Sequence, residues 1–228
     1  MIFVTGDTHG LQDFNKLHIF AGQHPELTKE DYVIIAGDFG GVWDSRTLAA
    51  DLKHYTELPF TVLFVDGNHE NFDLLNTFPV EEWHGGKVQK IKPDIIHLMR
   101  GQIFEIEGKT FFTFGGATSV DRFMRREGIS WWKQELPTFE ELDEGVANLK
   151  KRNGRVDYVI THSCSERALN YPAIKNSASL KLNCPESQML SYIEDNAEFK
   201  HWYFGHFHID AKLGDKYTAL MHEIKQIV

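Results

Sequence analysis

The sequence predicts an α/β protein, and three observations carry that prediction. Apolar runs at residues 2–4, 31–36 and 60–65 alternate with stretches whose apolar residues have helical spacing. Four shorter runs between residues 88 and 114 have strand composition. Each run of the first half stops at a glycine followed by residues able to ligate a metal: Gly6-Asp7-Thr8-His9, Gly37-Asp38 and Gly67-Asn68-His69.

Residues 2–4 read as a short buried strand, and Gly6 lets the chain turn at its end. Asp7 and His9, two residues apart on extended chain, leave on the same side and can converge on one point. Leu11, Phe14, Leu17, Phe20 and Ala21 give residues 11–21 a helical stripe. Residues 31–36 and 60–65 are the second and third strands, with a helix over 47–55 between them. Nearly unbroken apolar strands alternating with helices indicate a parallel sheet covered on both faces. In such sheets the polar groups beyond the carboxyl ends of the strands form the site.

The middle of the chain changes character. Residues 88–91, 95–98, 102–106 and 110–114 are predicted as strands, the last two joined by a hairpin turn at Glu107-Gly108-Lys109. They are expected to form an antiparallel meander, either a second sheet or the far edge of a mixed one. Residues 115–137 carry Arg122, Arg125, Arg126, Trp131 and Trp132 with weak periodicity. A loop of that length is usually functional or mobile, and the sequence leaves open whether it closes over the site. The two tryptophans are expected in the core. A helix follows over 138–151, opened by Thr138 and Glu141 in a capping box.

The last third returns to strand then ligand. Residues 156–161 form a strand ending in His162-Ser163, and 165–184 are irregular with one short helix. Pro185 opens a helix over 185–196. Residues 201–204 form a strand ending in Gly205-His206-Phe207-His208, and 209–227 are hairpin strands around Gly214-Asp215. No repeat, low-complexity tract or linker divides the chain, so one domain over 1–228 is expected.

Hydrophobic residues at 42% and charged residues at 25% describe a chain that can bury a core. Lys and Arg number 24 against 33 Asp and Glu, a formal charge of −9, part of which bound metal could neutralise. That balance implies no stable nucleic-acid partner and no attraction to an anionic membrane. No apolar run approaches a membrane span, and no leader fits before Asp7. Cys164 and Cys184 lack Cys-x-x-Cys spacing and are expected as thiols, consistent with a cytoplasmic protein.

Five strand ends thus carry Asp7 and His9, Asp38, Asn68 and His69, His162, and His206 and His208. In this order the set resembles the calcineurin-like metallophosphoesterase superfamily. The resemblance rests on Gly6-Asp7-Thr8-His9-Gly10, Gly37-Asp38, Gly67-Asn68-His69-Glu70, Thr161-His162 and Gly205-His206-Phe207-His208, and spans residues 6 to 208. It implies a four-layer α/β/β/α sandwich of two mixed β-sheets flanked by helices, with a dinuclear metal centre. One metal would be held by Asp7, His9, Asp38 and His208, the second by Asp38, Asn68, His162 and His206, with Asp38 bridging. The implied reaction is hydrolysis of phosphomonoesters or phosphodiesters by a metal-bridging hydroxide, with Asp38 and His69 as the catalytic pair and His69 serving the leaving oxygen. Carboxylate, amide and imidazole ligands without thiolate suit Mn, Fe, Zn or Ni, and the resemblance favours two Mn ions.

Departures from the family pattern leave the substrate open. The first and third blocks look like the serine/threonine protein phosphatase branch, so a protein phosphatase is one alternative. Yet Gly41 and Val42 stand where that branch has an Asp supporting the catalytic His and a phosphate-binding Arg. Arg46, or Asp44, is a candidate substitute, and Arg122 and Arg125 are candidates for a phosphate clamp. His208 is more typical of the nuclease and small-molecule branches, and residues 115–132 look like those of bacterial and phage phosphoesterases. A non-catalytic binding scaffold is the alternative from another class. His18, His24, His54, His84, His97, His201 and His222 lie outside every block and are expected as surface or packed residues.

Overall fold

The computed structural model describes residues 1–176 and 184–228. The first sheet takes β1 (Ile2–Thr5), β2 (Tyr32–Ala36), β3 (Thr61–Val65), β4 (Val80–Trp83), β5 (Gly86–Lys92) and β6 (Ile95–Leu98). The second takes β7 (Gln102–Ile106), β8 (Lys109–Phe114), β9 (Tyr158–Thr161), β10 (His201–Phe204), β11 (Ala211–Leu213) and β12 (Tyr217–Ala219). The closing strand, β13 (Lys225–Gln226), returns to the first sheet beside β1. The strand orders are β13-β1-β2-β3-β6-β5-β4 and β11-β12-β10-β9-β8-β7. Each sheet has a parallel centre, β1, β2, β3 and β6 in one and β8, β9, β10 and β12 in the other, with antiparallel strands outside it.

Alternation of side chains along the strands sets the layers. Ile2, Val4, Ile34, Ala36, Leu63 and Val65 point inward and meet Phe104, Ile106, Phe111 and Ile160 of the second sheet. Phe3, Val33, Ile35, Val62 and Phe64 point the other way. They pack under α1 (Asn15–Gln23), α2 (Leu48–Thr56) and α3 (Phe72–Leu75) through Leu17, Phe20, Leu52, Tyr55 and Phe72. The outer face of the second sheet presents Phe112, Phe114, Val159, Trp202 and Phe204 to α4 (Phe139–Lys151), α5 (Glu166–Leu169), α6 (Pro172–Lys175) and α7 (Pro185–Asp195). The fold is the four-layer α/β/β/α sandwich. Because both faces of β1, β2 and β3 are buried along nearly their whole length, these strands read as apolar runs without a polar alternation.

The middle of the chain corrects one expectation. Its four runs do not form one meander: β5 and β6 complete the first sheet, while β7 and β8 begin the second. β4 has no apolar run, because it is an edge strand with exposed Glu81 and Glu82 between Val80 and Trp83. Helix α1 starts at Asn15 rather than at residue 11, and the 165–184 stretch holds two short helices rather than one, with residues 177–183 outside those described. The closing segment is divided between the two sheets. Residues 115–137 contain short 3-10 turns at Arg122–Met124 and Lys133–Glu135 and one isolated bridge between Glu127 and Trp131. Trp132 is buried and donates through Nε1 to Asp73 at 2.9 Å, while Trp131 is half-buried. The capping box at Thr138 and Glu141 is present, with bonds of 2.7 and 3.2 Å. Among the described residues no helix is long and apolar enough to cross a membrane.

A buried polar network ties the layers together just below the ends of the parallel strands. Asp66, directly after β3, accepts from Arg100 Nε at 2.9 Å and Nη2 at 2.5 Å. His97 bridges Asp66 at 3.1 Å and Gln89 at 2.9 Å, the packed role expected of it. Arg100 also donates to Gln134 O at 2.6 Å and pairs with Glu141 of α4 at 3.0 Å, so one guanidinium anchors the end of the 115–137 segment.

Candidate metal centre

The carboxyl ends of β1, β2 and β3 from one sheet face those of β9 and β10 from the other, and every predicted ligand sits on the residues that follow. The backbone there is bent to bring them together. Among the described residues seven non-glycine positions have positive φ, and four of them are His9, Asp38, His206 and His208. Such conformations cost of order 1–3 kcal/mol each and persist where surrounding structure enforces them, typically at functional sites. Two glycines are required by close approach. A Cβ at Gly67 would lie 2.0 Å from Asp38 Oδ1, and one at Gly205 would lie 2.1 Å from Asp7 Oδ1.

Four side chains converge tightly: ligand atoms of Asp7, His9, Asp38 and His208 all lie within 4.8 Å of one another. Asp38 is 1% exposed and its two oxygens face different groups. Oδ2 lies 3.2 Å from His9 Nε2, whereas Oδ1 lies 3.3 Å from His162 Nε2 and accepts from the backbone N–H of His69 at 2.7 Å. On that second side His162 Nε2 meets Asn68 Oδ1 at 3.0 Å. The His206 ring packs against His162 with centroids 4.9 Å apart, a ring contact rather than a convergence of ligand atoms. The first predicted set is therefore fully assembled. In the second, Asp38, Asn68 and His162 meet and His206 lies against them.

Several features fit divalent cations. Asp7 is fully buried, and its Oδ2 has no hydrogen-bond partner although His208 Nε2 is 3.2 Å away. An orphaned carboxylate oxygen is costly unless something positive meets it. Burial works to raise both carboxyls, but His208 and His162 hold Asp7 below its ordinary value, and His162 and His9 hold Asp38 well below. Conversely, burial works to lower His9 and His162, yet Asp38 and Asp7 raise them to about 9 and about 10. Burial and the neighbouring His162 push His206 down to about 3, so it stays a neutral donor. Oxygen and imidazole donors without thiolate suit first-row divalent ions.

His69 stands beside this centre, its ring 5.2 Å from that of His9. Burial lowers its pKa, and Arg125 Nη2, 2.8 Å from its Nε2, adds to that. Since a guanidinium only donates, His69 accepts here as a neutral ring. Of the three arginines proposed for substrate, only Arg125 reaches the site. Arg122 stacks 4.9 Å over the Trp131 ring, and Arg46 is 86% exposed and paired with Asp44 at 2.6 Å. Among the described residues neither Asp44 nor Arg46 is hydrogen-bonded to His69. A cleft of about 540 Å³ opens from His9 and His69 toward Leu11, Gln12, Trp43 and Asp51.

Supporting residues went unread in the sequence. Asp13 meets His9 Nδ1 at 2.8 Å, leaving Nε2 for the centre, and an acidic residue four positions after His9 is the signal for it. Lys16 donates to the carbonyls of Gly6 and Asp7 at 2.9 and 2.6 Å and to that of Met221. Glu70 is buried and accepts from the backbone N–H of Phe39 at 2.7 Å and Gly40 at 3.1 Å, fixing the loop after Asp38. Ser119 reaches Asn68 from 51 residues away and is in turn held by Glu135, a connection no local pattern reveals.

Comparison with known proteins places these residues in a family context. The profile described as calcineurin-like phosphoesterase matches residues 1–210. A lariat debranching enzyme of Schizosaccharomyces pombe is 22% identical over 251 residues, covering 98% of this chain and 50% of that protein. The chain thus spans about half the length of that curated relative. A crystal structure of phosphopantetheinyl hydrolase from Mycobacterium tuberculosis has 17% identity and a TM-score of 0.42, over 96% of this chain and 89% of that one.

Proposed function

We propose that this chain, which belongs to the calcineurin-like phosphoesterase family, hydrolyses phosphomonoesters or phosphodiesters at a centre of two divalent cations, with manganese as the working ion. The observation that carries the reading is the placement of Asp38, one oxygen toward His9 and the other toward His162. A carboxylate can serve two cations in this way, and an imidazole nitrogen with one lone pair cannot. Asp7, His9, Asp38 and His208 would hold one ion, and Asp38, Asn68, His162 and His206 the other. When bound, such a pair supplies Lewis acidity that polarises the phosphoryl group and acidifies water.

The chain's own groups do the rest. Asp13 fixes the His9 ring, and the carbonyl of Ala36, 3.0 Å from His162 Nδ1, fixes the His162 ring. Arg125 turns from His69 onto a phosphoryl oxygen when substrate enters, which frees a His69 nitrogen to carry the proton for the leaving oxygen. The departing alcohol group lies in the cleft beside Trp43. Among the described residues no carboxylate hydrogen-bonds the His69 ring, so its orientation depends on Arg125 and on the His9 ring.

The manganese-loaded enzyme and two variants test these roles on p-nitrophenyl phosphate and bis-p-nitrophenyl phosphate. Arg125→Ala is expected to raise KM about 10–100-fold with a smaller change in kcat, the worth of one charge-assisted hydrogen bond. His69→Ala is expected to lower kcat by about 10²–10⁴-fold while metal content stays unchanged. Full turnover by a metal-replete His69→Ala protein would remove the proton-donor role.

A further inference from the structure

We propose that Ser119 and Glu135 are positioning residues that lock the side-chain amide of Asn68 with its carbonyl oxygen turned into the metal centre. The inference rests on the reading of Asn68 as a ligand. An asparagine amide has two ends of nearly equal size, and only Oδ1 can ligate a cation. Something must therefore choose between them.

The hydrogen bonds around Asn68 make that choice. Nδ2 donates to Ser119 Oγ at 3.2 Å, and Ser119 Oγ donates to Glu135 Oε2 at 2.5 Å. An ionised carboxylate only accepts, so the serine proton is committed to Glu135, and the hydroxyl can only accept from Asn68. The opposite amide end, Oδ1, is left facing His162 Nε2 at 3.0 Å. Turning the amide over would set Oδ1 against a hydroxyl with no proton to give, and Nδ2 against the ligand nitrogen of His162. Asn68 and Ser119 are each 4% exposed and Glu135 is 1% exposed, so water does not replace the missing donor.

Glu135 is itself held. Its Oε1 accepts from the backbone N–H of Trp132 at 3.3 Å, and its backbone oxygen accepts from Ala117 at 3.0 Å. The two ends of the 115–137 segment are thus closed on each other beside Asn68. The same segment carries Arg125, so one irregular stretch sets both a ligand orientation and the position of the arginine beside His69.

The test is calorimetric titration of chelator-stripped protein with Mn(II) at pH 8, where Glu135, pushed up by burial to about 7, is ionised. Ser119→Ala removes the acceptor, and Glu135→Gln replaces an obligate acceptor with an amide that can also donate. In both variants one of the two binding steps is expected to weaken by about 10–100-fold while the other keeps its affinity. The melting temperature of the stripped variants, measured alongside, is expected to stay close to that of the parent. Unchanged affinity at both steps would overturn the proposal. So would equal weakening of both steps with a lowered melting temperature, which would make the pair a packing element. Absence of turnover by the parent protein on every ester would count against the phosphoesterase reading and leave the titration interpretable.

Discussion

Asp38→Asn is expected to cut kcat/KM by about 10³-fold or more, a loss of roughly 4 kcal/mol of transition-state stabilisation. The substitution nearly preserves volume, and Asn Oδ1 can still accept from the backbone N–H of His69, so the loop after β2 keeps its anchor. What it loses is the charge and the second oxygen, the one 3.2 Å from His9. An amide nitrogen in that place donates rather than accepts and cannot ligate. Steady-state kinetics alongside manganese content would show both activity and one equivalent of metal lost while the protein still melts cooperatively. A variant that kept turnover within tenfold of the parent would show that Asp38 does not join two cations.

The largest expected effect on stability lies outside the centre. Arg100→Ala leaves the carboxylate of Asp66, 1% exposed, without its guanidinium, and removing one partner of a buried pair typically costs about 3–5 kcal/mol. For a chain of this size each kcal/mol shifts the melting temperature by about 2–4 °C, so a fall of roughly 6–20 °C is expected. The pH dependence has a definite sign. Burial alone would raise Asp66, but Arg100 and His97 hold it well below the ordinary carboxylate range. In the parent protein this group's contribution is fully present above the unfolded value near 4 and is lost as pH falls through the lower folded value. In the variant the carboxyl keeps only His97, so burial pushes it up from its parent value and protonation relieves the buried charge. The deficit should therefore be greatest near pH 7 and shrink by pH 4. A deficit equal at both pH values would show that lost packing, and not the buried charge, is responsible.

The sequence was most informative where a local pattern meets an obligatory geometry. The apolar runs that became β1, β2 and β3 were legible because a strand buried on both faces has no polar alternation to hide it. The candidate ligands were legible because each follows a strand end, and all but His162, which follows Thr161, also follow a glycine, as Gly67 before Asn68 and Gly205 before His206 show. The partition of residues 88–114 between two sheets was not, since hairpin signals report neighbours in sequence and carry no information on which sheet a strand joins. β4, with Glu81 and Glu82 between Val80 and Trp83 on an exposed edge, offers no apolar run. The substrate arginines divided in the same way. Arg122, Arg125 and Arg46 are equivalent as letters; tertiary structure sends Arg125 to His69, the fold of its own segment lays Arg122 over Trp131, and Arg46 takes the acid two residues before it, Asp44. Ser119 and Glu135 were invisible for the same reason: Asn68, which Ser119 meets and Glu135 serves through Ser119, is distant in the chain.

The most direct test of the account follows turnover of bis-p-nitrophenyl phosphate and p-nitrophenyl phosphate while chelator-stripped protein is reloaded with Mn(II). The account predicts no hydrolysis by the stripped protein and activity on at least one ester that saturates as the second equivalent of metal binds. Two bound equivalents without hydrolysis of either ester, or hydrolysis by fully stripped protein, would contradict it.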